Sequence, residues 1–299
     1  MSRIKTLIIG LLLLVLGPAF TGCSALRLGY ANGPQLGWWW IDNYFDFSRE
    51  QAPQVKRAMD DWFAWHRATQ LPEYAALLAS ARQQIGEPTT PDAACRWQER
   101  VREQLEPALG RAITEFAALV PRLGDAQYGH LERRYLKLND EMRADFLQPD
   151  SAERQRESVK RAVERAERVY GRLDEPQRRV IAAGIEASPF NPDLWLTERQ
   201  RRQRDVLQTL RRLNTERADT DQRVAALRAL VQRTERSPNP DYRAYQARLG
   251  SYNCAFAAQI HNATTPAQRQ QARETIKGWE DDIRSLTAPR PGGGPAEGG

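Results

Sequence analysis

Residues and motifs that carry catalysis or bind metals are scarce in this sequence. Its 299 residues include only three His and three Cys, and no two of these lie at the spacing of metal ligands. The CxxC and HExxH zinc motifs, the EF-hand loop, the P-loop, the GxGxxG fingerprint and the GxSxG nucleophile motif are absent. The sequence therefore predicts no metal site and no cofactor, and it indicates no enzyme class.

The alternation of apolar and polar residues that marks β-strands is also missing. Ala, Leu, Arg, Gln and Glu dominate the chain, and apolar residues recur three and four positions apart. The clearest such series is Tyr128, Leu131, Tyr135, Leu138, Met142 and Phe146. The pattern predicts an all-α fold, a single domain of about ten antiparallel helices behind an N-terminal tether.

The first residues are typical of an exported protein. Arg3 and Lys5 supply positive charge, and the apolar run at residues 7–16 is too short to span a bilayer comfortably. Phe20-Thr21-Gly22-Cys23 then resembles the lipobox of bacterial lipoproteins, with Phe20 where Leu is most common. The resemblance implies cleavage before Cys23 and acylation of that residue. An ordinary secreted protein with a chance cysteine is the alternative.

The expected location follows from the residue after the lipobox cysteine. Ser24 stands there instead of Asp, which by the sorting rule of lipoproteins favours the periplasmic face of the outer membrane. The expected partners are the membrane, through the lipid, and an envelope protein. A net charge of +6 would suit nucleic acid in a cytosolic protein. Because this compartment argues against such a partner, no nucleic-acid binding is expected.

Composition divides the chain into four segments. Residues 1–22 are the expected signal peptide, and 23–47 a lipidated, aromatic tether with little regular structure. Residues 48–287 are the expected helical domain, and the Pro- and Gly-rich residues 288–299 a disordered tail. This division predicts that the fold begins at about residue 48.

Two cysteines remain after lipidation, Cys95 and Cys254. The periplasm is oxidising, so an even pair predicts a disulfide, with two buried free thiols as the alternative. A bond between them would hold a late aromatic helix against the early core and would favour one domain over two.

Tryptophan is concentrated near the N-terminus, where residues 30–74 hold five of the eight Trp. Trp38, Trp39 and Trp40 fan over roughly 200° of a helix and so cannot all enter one core. They are the candidate residues for binding or membrane contact. A second group shares one helical face and is expected in the interior. It comprises Val55, Met59, Trp62 and Trp65.

A polar site is a weaker candidate near the same aromatic residues. His66 and His261 could meet in space to hold a metal, and Glu73 could be a perturbed acid. Stacked, hydrogen-bonded histidines and a first-turn glutamate favoured by the helix dipole are the preferred interpretation of these residues.

A short pattern recurs at predicted helix starts, and in its best copies Ser, Thr or Asp is followed three residues later by Gln. This spacing is typical of capping boxes. The copies lie at 47–51, 123–127, 173–177, 196–200 and 264–268. The copy Leu196-Thr197-Glu198-Arg199-Gln200 resembles the LTxxQ motif of periplasmic stress proteins, small helical chaperones and sensors. Capping is the preferred interpretation of the set.

The mature chain resembles, nearly from end to end, a large family of Gram-negative lipoproteins of unknown function. The resemblance rests on Tyr30-x-Asn32, the paired Trp, Tyr44-x-Asp46, Trp65-His66-Arg67, Leu71-Pro72-x-Tyr74, the two Cys, and His261-Asn262 before Gln268-Arg269. It implies a location and no activity.

Two functional hypotheses remain. The first is a lipid-anchored helical protein of the periplasm that acts as a binding, assembly or chaperone-like factor and is not an enzyme. The second is an enzyme that acts on an envelope polymer through an unrecognised carboxylate or His site. A broad exposed apolar surface favours the first, and a concave site with convergent polar groups favours the second.

Lipidation can be tested directly. Radiolabelled palmitate is expected to enter the wild-type protein and not a Cys23→Ser variant, because acyl transfer requires the thiol. The labelled protein should fractionate with the outer membrane. Equal labelling of the two proteins would contradict lipidation at Cys23.

Overall fold

The computed structural model of the chain describes residues 25–287, which form twelve α-helices and no strand. In the first half the helices are α1 (Ala25–Ala31), α2 (Gly33–Phe45), α3 (Ala52–Thr69), α4 (Leu71–Gln84), α5 (Pro91–Leu119) and α6 (Asp125–Phe146). In the second half they are α7 (Ser151–Tyr170), α8 (Glu175–Glu186), α9 (Pro192–Thr215), α10 (Thr220–Glu235), α11 (Pro240–Asn262) and α12 (Pro266–Thr287). A 3₁₀ turn at Val120–Arg122 joins α5 to α6.

The all-α prediction is confirmed, with twelve helices where about ten were expected. Over residues 25–287, no helix combines the length and the apolar character needed to cross a membrane. The expected signal peptide, the lipobox-like residues 20–23 with the expected lipidation site Cys23, and the expected tail at 288–299 lie outside the described residues.

The expectation of little regular structure in 23–47 is wrong for the described part of that segment, which forms α1 and α2. Pro34 lies in the first turn of α2, where its missing N–H is not needed. Trp38, Ile41 and Phe45 are each only 8% exposed and belong to the main core. Because tertiary burial of these side chains outweighs the helix-breaking tendency of nearby glycines, the segment is part of the fold.

Two other helix predictions need correction. Helix α3 begins at Ala52 and not near Ser48, since residues 48–51 form a turn. Pro107 was expected to split or kink a helix near Glu106, and the split does not occur, because α5 is a single helix that contains the proline. A proline removes one backbone hydrogen bond. The turn before Pro107 is largely exposed, and the buried part of α5 begins at Ala108 directly after it.

The interior consists of two hydrophobic clusters. The larger is formed by α2, α3, α5, α6, α9 and α10, and the smaller by α7 and α8 with α11 packed against them. The long helix α5 contacts α3 and α10 on one side of the molecule and α11 on the other. Helix α12 lies along α4 and also contacts α1 and α7. These shared helices join the clusters into one compact domain.

The predicted disulfide is present between Cys95 on α5 and Cys254 on α11, with Cα atoms 5.2 Å apart. Cys254 is 4% exposed and lies in the interior, whereas Cys95 is exposed. The bond therefore fixes α11 to the early part of the chain, as expected for a single domain.

Most copies of the recurring Gln pattern do lie at helix starts. Asp174 and Gln177 form both bonds of a capping box, and so do Thr265 and Gln268. Gly124 has no side chain, so only the bond from its N–H to the Gln127 Oε1 forms, at 3.0 Å. The fully matching copy at 196–200 is different, because it lies inside α9 and caps nothing.

The glutamines of these starts also join in pairs across the fold. The amide of Gln177 donates to the Ala263 carbonyl at 3.0 Å, and that of Gln268 donates to the Arg172 carbonyl at 2.9 Å. Each acceptor lies just before the start of the partner's helix. The pair thus fastens the start of α8 to the start of α12.

A second pair has the same arrangement in the larger cluster. The Gln51 amide donates to the Arg122 carbonyl, and the Gln127 amide donates to the Asp46 carbonyl at 3.4 Å. The start of α3 is thereby fastened to the start of α6. Each glutamine side chain accepts a hydrogen bond from a backbone N–H at its own helix start and donates its amide to a carbonyl of a neighbouring connection. A capping box alone makes only the first kind of bond.

The disulfide should contribute strongly to stability. Reduction is expected to lower the free energy of unfolding by about 4–5 kcal/mol, because the bond constrains a long loop of the unfolded chain. Urea unfolding with and without dithiothreitol measures the difference. A Cys95→Ala/Cys254→Ala variant should match the reduced protein and ignore the reductant. Alkylation of both thiols without reductant would contradict the bond.

Candidate functional site

The inner side of α2 anchors this helix in the core. Trp38 stacks on Phe47 with ring centroids 6.0 Å apart, and the Lys56 Nζ lies 4.9 Å from the Trp38 ring. Gly33 contacts the Phe63 ring of α3 so closely that a Cβ atom there would collide with it. The glycine therefore permits the close approach of the two helices.

The opposite side of α2 is apolar and faces solvent. Leu36, Trp39 and Trp40 lie at positions i, i+3 and i+4 and are 46%, 60% and 64% exposed. We call these three residues the α2 outer face. Leu28 on the preceding helix is also exposed, at 56%. Two large rings side by side on a surface are uncommon unless another surface covers them.

The Trp triplet is thus divided as its helical spacing requires, with Trp38 inside and Trp39 and Trp40 outside. The two outward rings differ in their support. The Trp40 ring lies 5.0 Å from the Tyr44 ring, centroid to centroid, which holds it against the protein. Trp39 is the neighbour that projects from the α2 outer face beside it.

His66 occupies an aromatic setting next to α2. Its ring stacks on Trp62 at 4.5 Å between centroids, and its Nδ1 lies 2.8 Å from the Tyr30 hydroxyl. Burial lowers the pKa of the imidazole, which favours the neutral ring. The expectation that Trp62 and Trp65 are interior is wrong. Both are half-buried, and the Trp62 Nε1–H donates to the Ala108 carbonyl at 3.2 Å.

Met59, placed in the same interior group, is also half-buried, and only Val55 of that group is fully enclosed, at 1% exposure. The helical face was assigned correctly, but α2 covers it only in part. Glu73, the candidate acid, is exposed in the first turn of α4.

His261 is held in a separate place by two hydrogen bonds. Its Nε2–H donates to the Glu87 carbonyl at 2.7 Å, so its Nδ1 accepts from the Tyr170 hydroxyl at 2.9 Å. Burial raises the pKa of Tyr170 to about 12, which keeps this donor protonated. Burial also lowers the pKa of His261. Both ring nitrogens are therefore engaged in joining α11, α7 and the α4–α5 loop.

The two histidines do not form the common site that was considered for them. Each histidine is hydrogen-bonded to a different tyrosine. The His66 pair joins α3 to α1, and the His261 pair joins α11 to α7. Residues 25–287 also contain no group of three or more His, Cys, Asp or Glu side chains placed to hold a metal ion.

A buried ionic cluster occupies the stretch of α9 that resembles the LTxxQ motif. Glu198 is 4% exposed and accepts two hydrogen bonds from Arg201, both of 2.9 Å. Burial acts to raise the pKa of Glu198, but the hydrogen bonds from Arg201 and Ser237 outweigh it and hold that pKa below its usual value. Arg233 donates to both carboxylate oxygens of Asp205, at 2.8 and 2.9 Å. The ion pair between Asp205 and Arg233 thus connects α9 to α10.

A cleft of about 660 Å³ is lined by residues of α6, α7, α8, α9 and α11 and of the loop between α8 and α9. We call it the arginine cleft. Its apolar wall carries Phe146, Phe190 and Trp195, and the α7 wall carries Arg154, Arg161 and Arg165. The sequence analysis missed this site, because its walls come from segments that only the tertiary fold brings together. The spacing of the three arginines on one helical face was the available signal.

These features describe a disulfide-bonded helical domain with one exposed aromatic helix face and one basic cleft. A family model described as a family of unknown function, DUF6279, matches residues 43–243. Because the match spans most of the chain, the protein belongs to this family. The matched region contains Cys95 but neither the α2 outer face nor Cys254. No curated protein and no solved structure matches the chain.

The division of the Trp triplet predicts different effects on stability. Trp38→Ala is expected to lower the free energy of unfolding by about 3–5 kcal/mol, because it empties a packed site. Trp39→Ala, the matched control on the same helix, should change it by less than about 0.5 kcal/mol. Urea unfolding of the two variants tests this difference. Equal destabilisation would show that both rings are core.

Proposed function

We propose that this protein is a lipid-anchored binding or assembly factor of the cell envelope, held at the periplasmic face of the outer membrane. In this proposal the α2 outer face lies against the membrane surface. The observation that carries it is the exposure of Trp39 and Trp40 on a helix that closely follows the lipobox cysteine.

Tryptophan suits this position for a physical reason. Its ring is largely apolar and its indole N–H is polar, so it is favoured at the boundary between headgroups and acyl chains. Trp39 lies only 16 residues after Cys23. Helices α1 and α2 carry few charges, and the Asp42 carboxylate of α2 is occupied by the Phe47 N–H at 3.0 Å. The α2 outer face can therefore approach lipid without burying an unpaired charge.

The lipid and the rings would have different roles. Each buried CH₂ of an acyl chain contributes about 0.8 kcal/mol, so the chains on Cys23 would supply most of the membrane affinity. Trp39 and Trp40 would instead fix which side of the helical domain faces the membrane. The rest of the domain would then be turned toward the periplasm and available to partner proteins.

A binding role is better supported than an enzymatic one by the polar groups of the fold. The two buried histidines are engaged by tyrosines and a carbonyl. The buried carboxylates Glu198 and Glu280 are paired with arginines. Such groups stabilise helix contacts and do not converge on an open site.

Quenching of tryptophan fluorescence by brominated lipids tests the membrane contact. The lipidated protein is reconstituted in vesicles with bromine on the acyl chains near the headgroups. Wild-type fluorescence should be quenched, and a Trp39→Phe/Trp40→Phe variant should lose most of that quenching, because its remaining Trp are distant from lipid.

Trp279→Phe is the matched control, because Trp279 is also surface-exposed, at 37%, but lies on α12. It should leave the quenching nearly unchanged. Equal quenching of the wild type and the Trp39→Phe/Trp40→Phe variant would contradict the proposed orientation, even if lipidation at Cys23 is found.

A further inference from the structure

The arginine cleft has a positive wall whose charge the protein itself does not neutralise. Arg154, Arg161 and Arg165 lie seven and four residues apart and so share one face of α7. The ion pairs of α7 use other side chains of that helix. They are Arg156 with Asp150, Lys160 with Glu157, and Glu167 with Arg178.

Two of the three arginines are held in place by uncharged acceptors. Arg161 donates to the Asp145 carbonyl at 3.4 Å and to the Ser158 hydroxyl at 3.2 Å. Arg154 donates to the Pro149 carbonyl at 3.2 Å. These bonds fix the guanidinium groups without cancelling their charge, and a guanidinium has five N–H donors in all. Donors therefore remain for a ligand.

The apolar wall stands directly beside this charge. The Phe146 and Trp195 rings lie 6.3 Å apart, centroid to centroid, and the Arg161 guanidinium lies 4.6 Å from the Phe146 ring. Phe190 is 40% exposed at the cleft. Glu186 is the acidic residue among those that line the cleft, so the lining has net positive charge. A suitable ligand combines negative charge with an apolar group.

The spread of the charges indicates which kind of ligand. Arg165 lies eleven positions after Arg154, which corresponds to about 16 Å along α7. A lipid headgroup concentrates its charge at one point, whereas the carboxylates of a peptide are distributed along its length. Three guanidinium groups along one wall therefore match a peptide better than a single headgroup.

We propose that the arginine cleft binds an acidic segment of a partner protein, with carboxylates on the α7 wall and an aromatic or large aliphatic side chain packed against the apolar wall of Phe146, Phe190 and Trp195. This inference deepens the proposed binding role by naming a site and a class of partner. It does not depend on the contact between the α2 outer face and the membrane.

Fluorescence anisotropy with a defined peptide tests the site. The probe is a fluorescein-labelled twelve-residue peptide of alternating Glu and Phe or Leu, added to the full-length lipidated protein in phosphatidylcholine nanodiscs. An Arg161→Gln/Arg165→Gln variant is expected to bind about tenfold more weakly, because two charge-assisted contacts are lost. Arg204→Gln, an exposed position on α9 outside the cleft, should bind as wild type does.

Further arms separate the possible outcomes. The same peptide with Gln in place of Glu should bind at least about tenfold more weakly than the acidic one. The Trp39→Phe/Trp40→Phe variant should bind the acidic peptide normally, so this proposal and the membrane contact can fail independently. Equal binding by wild type and the Arg161→Gln/Arg165→Gln variant would overturn the site. Binding of dodecyl phosphate without any peptide binding would overturn the peptide in favour of a lipid headgroup.

Discussion

Helix α5 is the element on which the packing of the other helices depends. Its second half carries Ile113 and Ala117 into the larger cluster, and its first half carries Cys95 to the disulfide with α11. One continuous helix therefore contacts the larger cluster and the helix packed on the smaller one. This explains why a proline inside it is tolerated. The helix is held on both sides of Pro107, by the disulfide at Cys95 and by the buried side chains from Ala108 to Leu119, and the loss of one backbone hydrogen bond is small beside these contacts.

Local patterns in the sequence predicted those features of the structure that depend on neighbouring residues, namely the helices and their starts. Helical periodicity predicted the fold class, and the recurring Gln pattern located the starts of α6, α8 and α12 correctly, although Gly124 occupies the cap position of α6. The same glutamines also bridge to loops more than 70 positions away, as Gln51 does to Arg122. No local pattern predicts that bridge, because it exists only after two helix starts have met.

Predictions from the sequence were wrong where the burial of a side chain depends on segments that lie far away in the chain. Glycines near the N-terminus suggested an irregular tether, but α2 is stabilised by the burial of Trp38 and Phe45 among helices much later in the chain. Trp62 lies on the expected helical face, yet too little of the chain covers that face to enclose it. The arginine cleft was missed for the same reason, since its walls come from five separate helices and a loop.

The contact between Gly33 and Phe63 has a consequence for the thermodynamics of the α2 outer face. Because the Phe63 ring of α3 packs directly on α2 at Gly33, and α2 is also held on its inner side by Trp38, the helix has little freedom to rotate or slide. Trp39 and Trp40 are thus displayed on a support that is already rigid. When another surface covers the two rings, the backbone of α2 loses little conformational entropy. More of the favourable free energy of burying the rings is therefore retained as affinity.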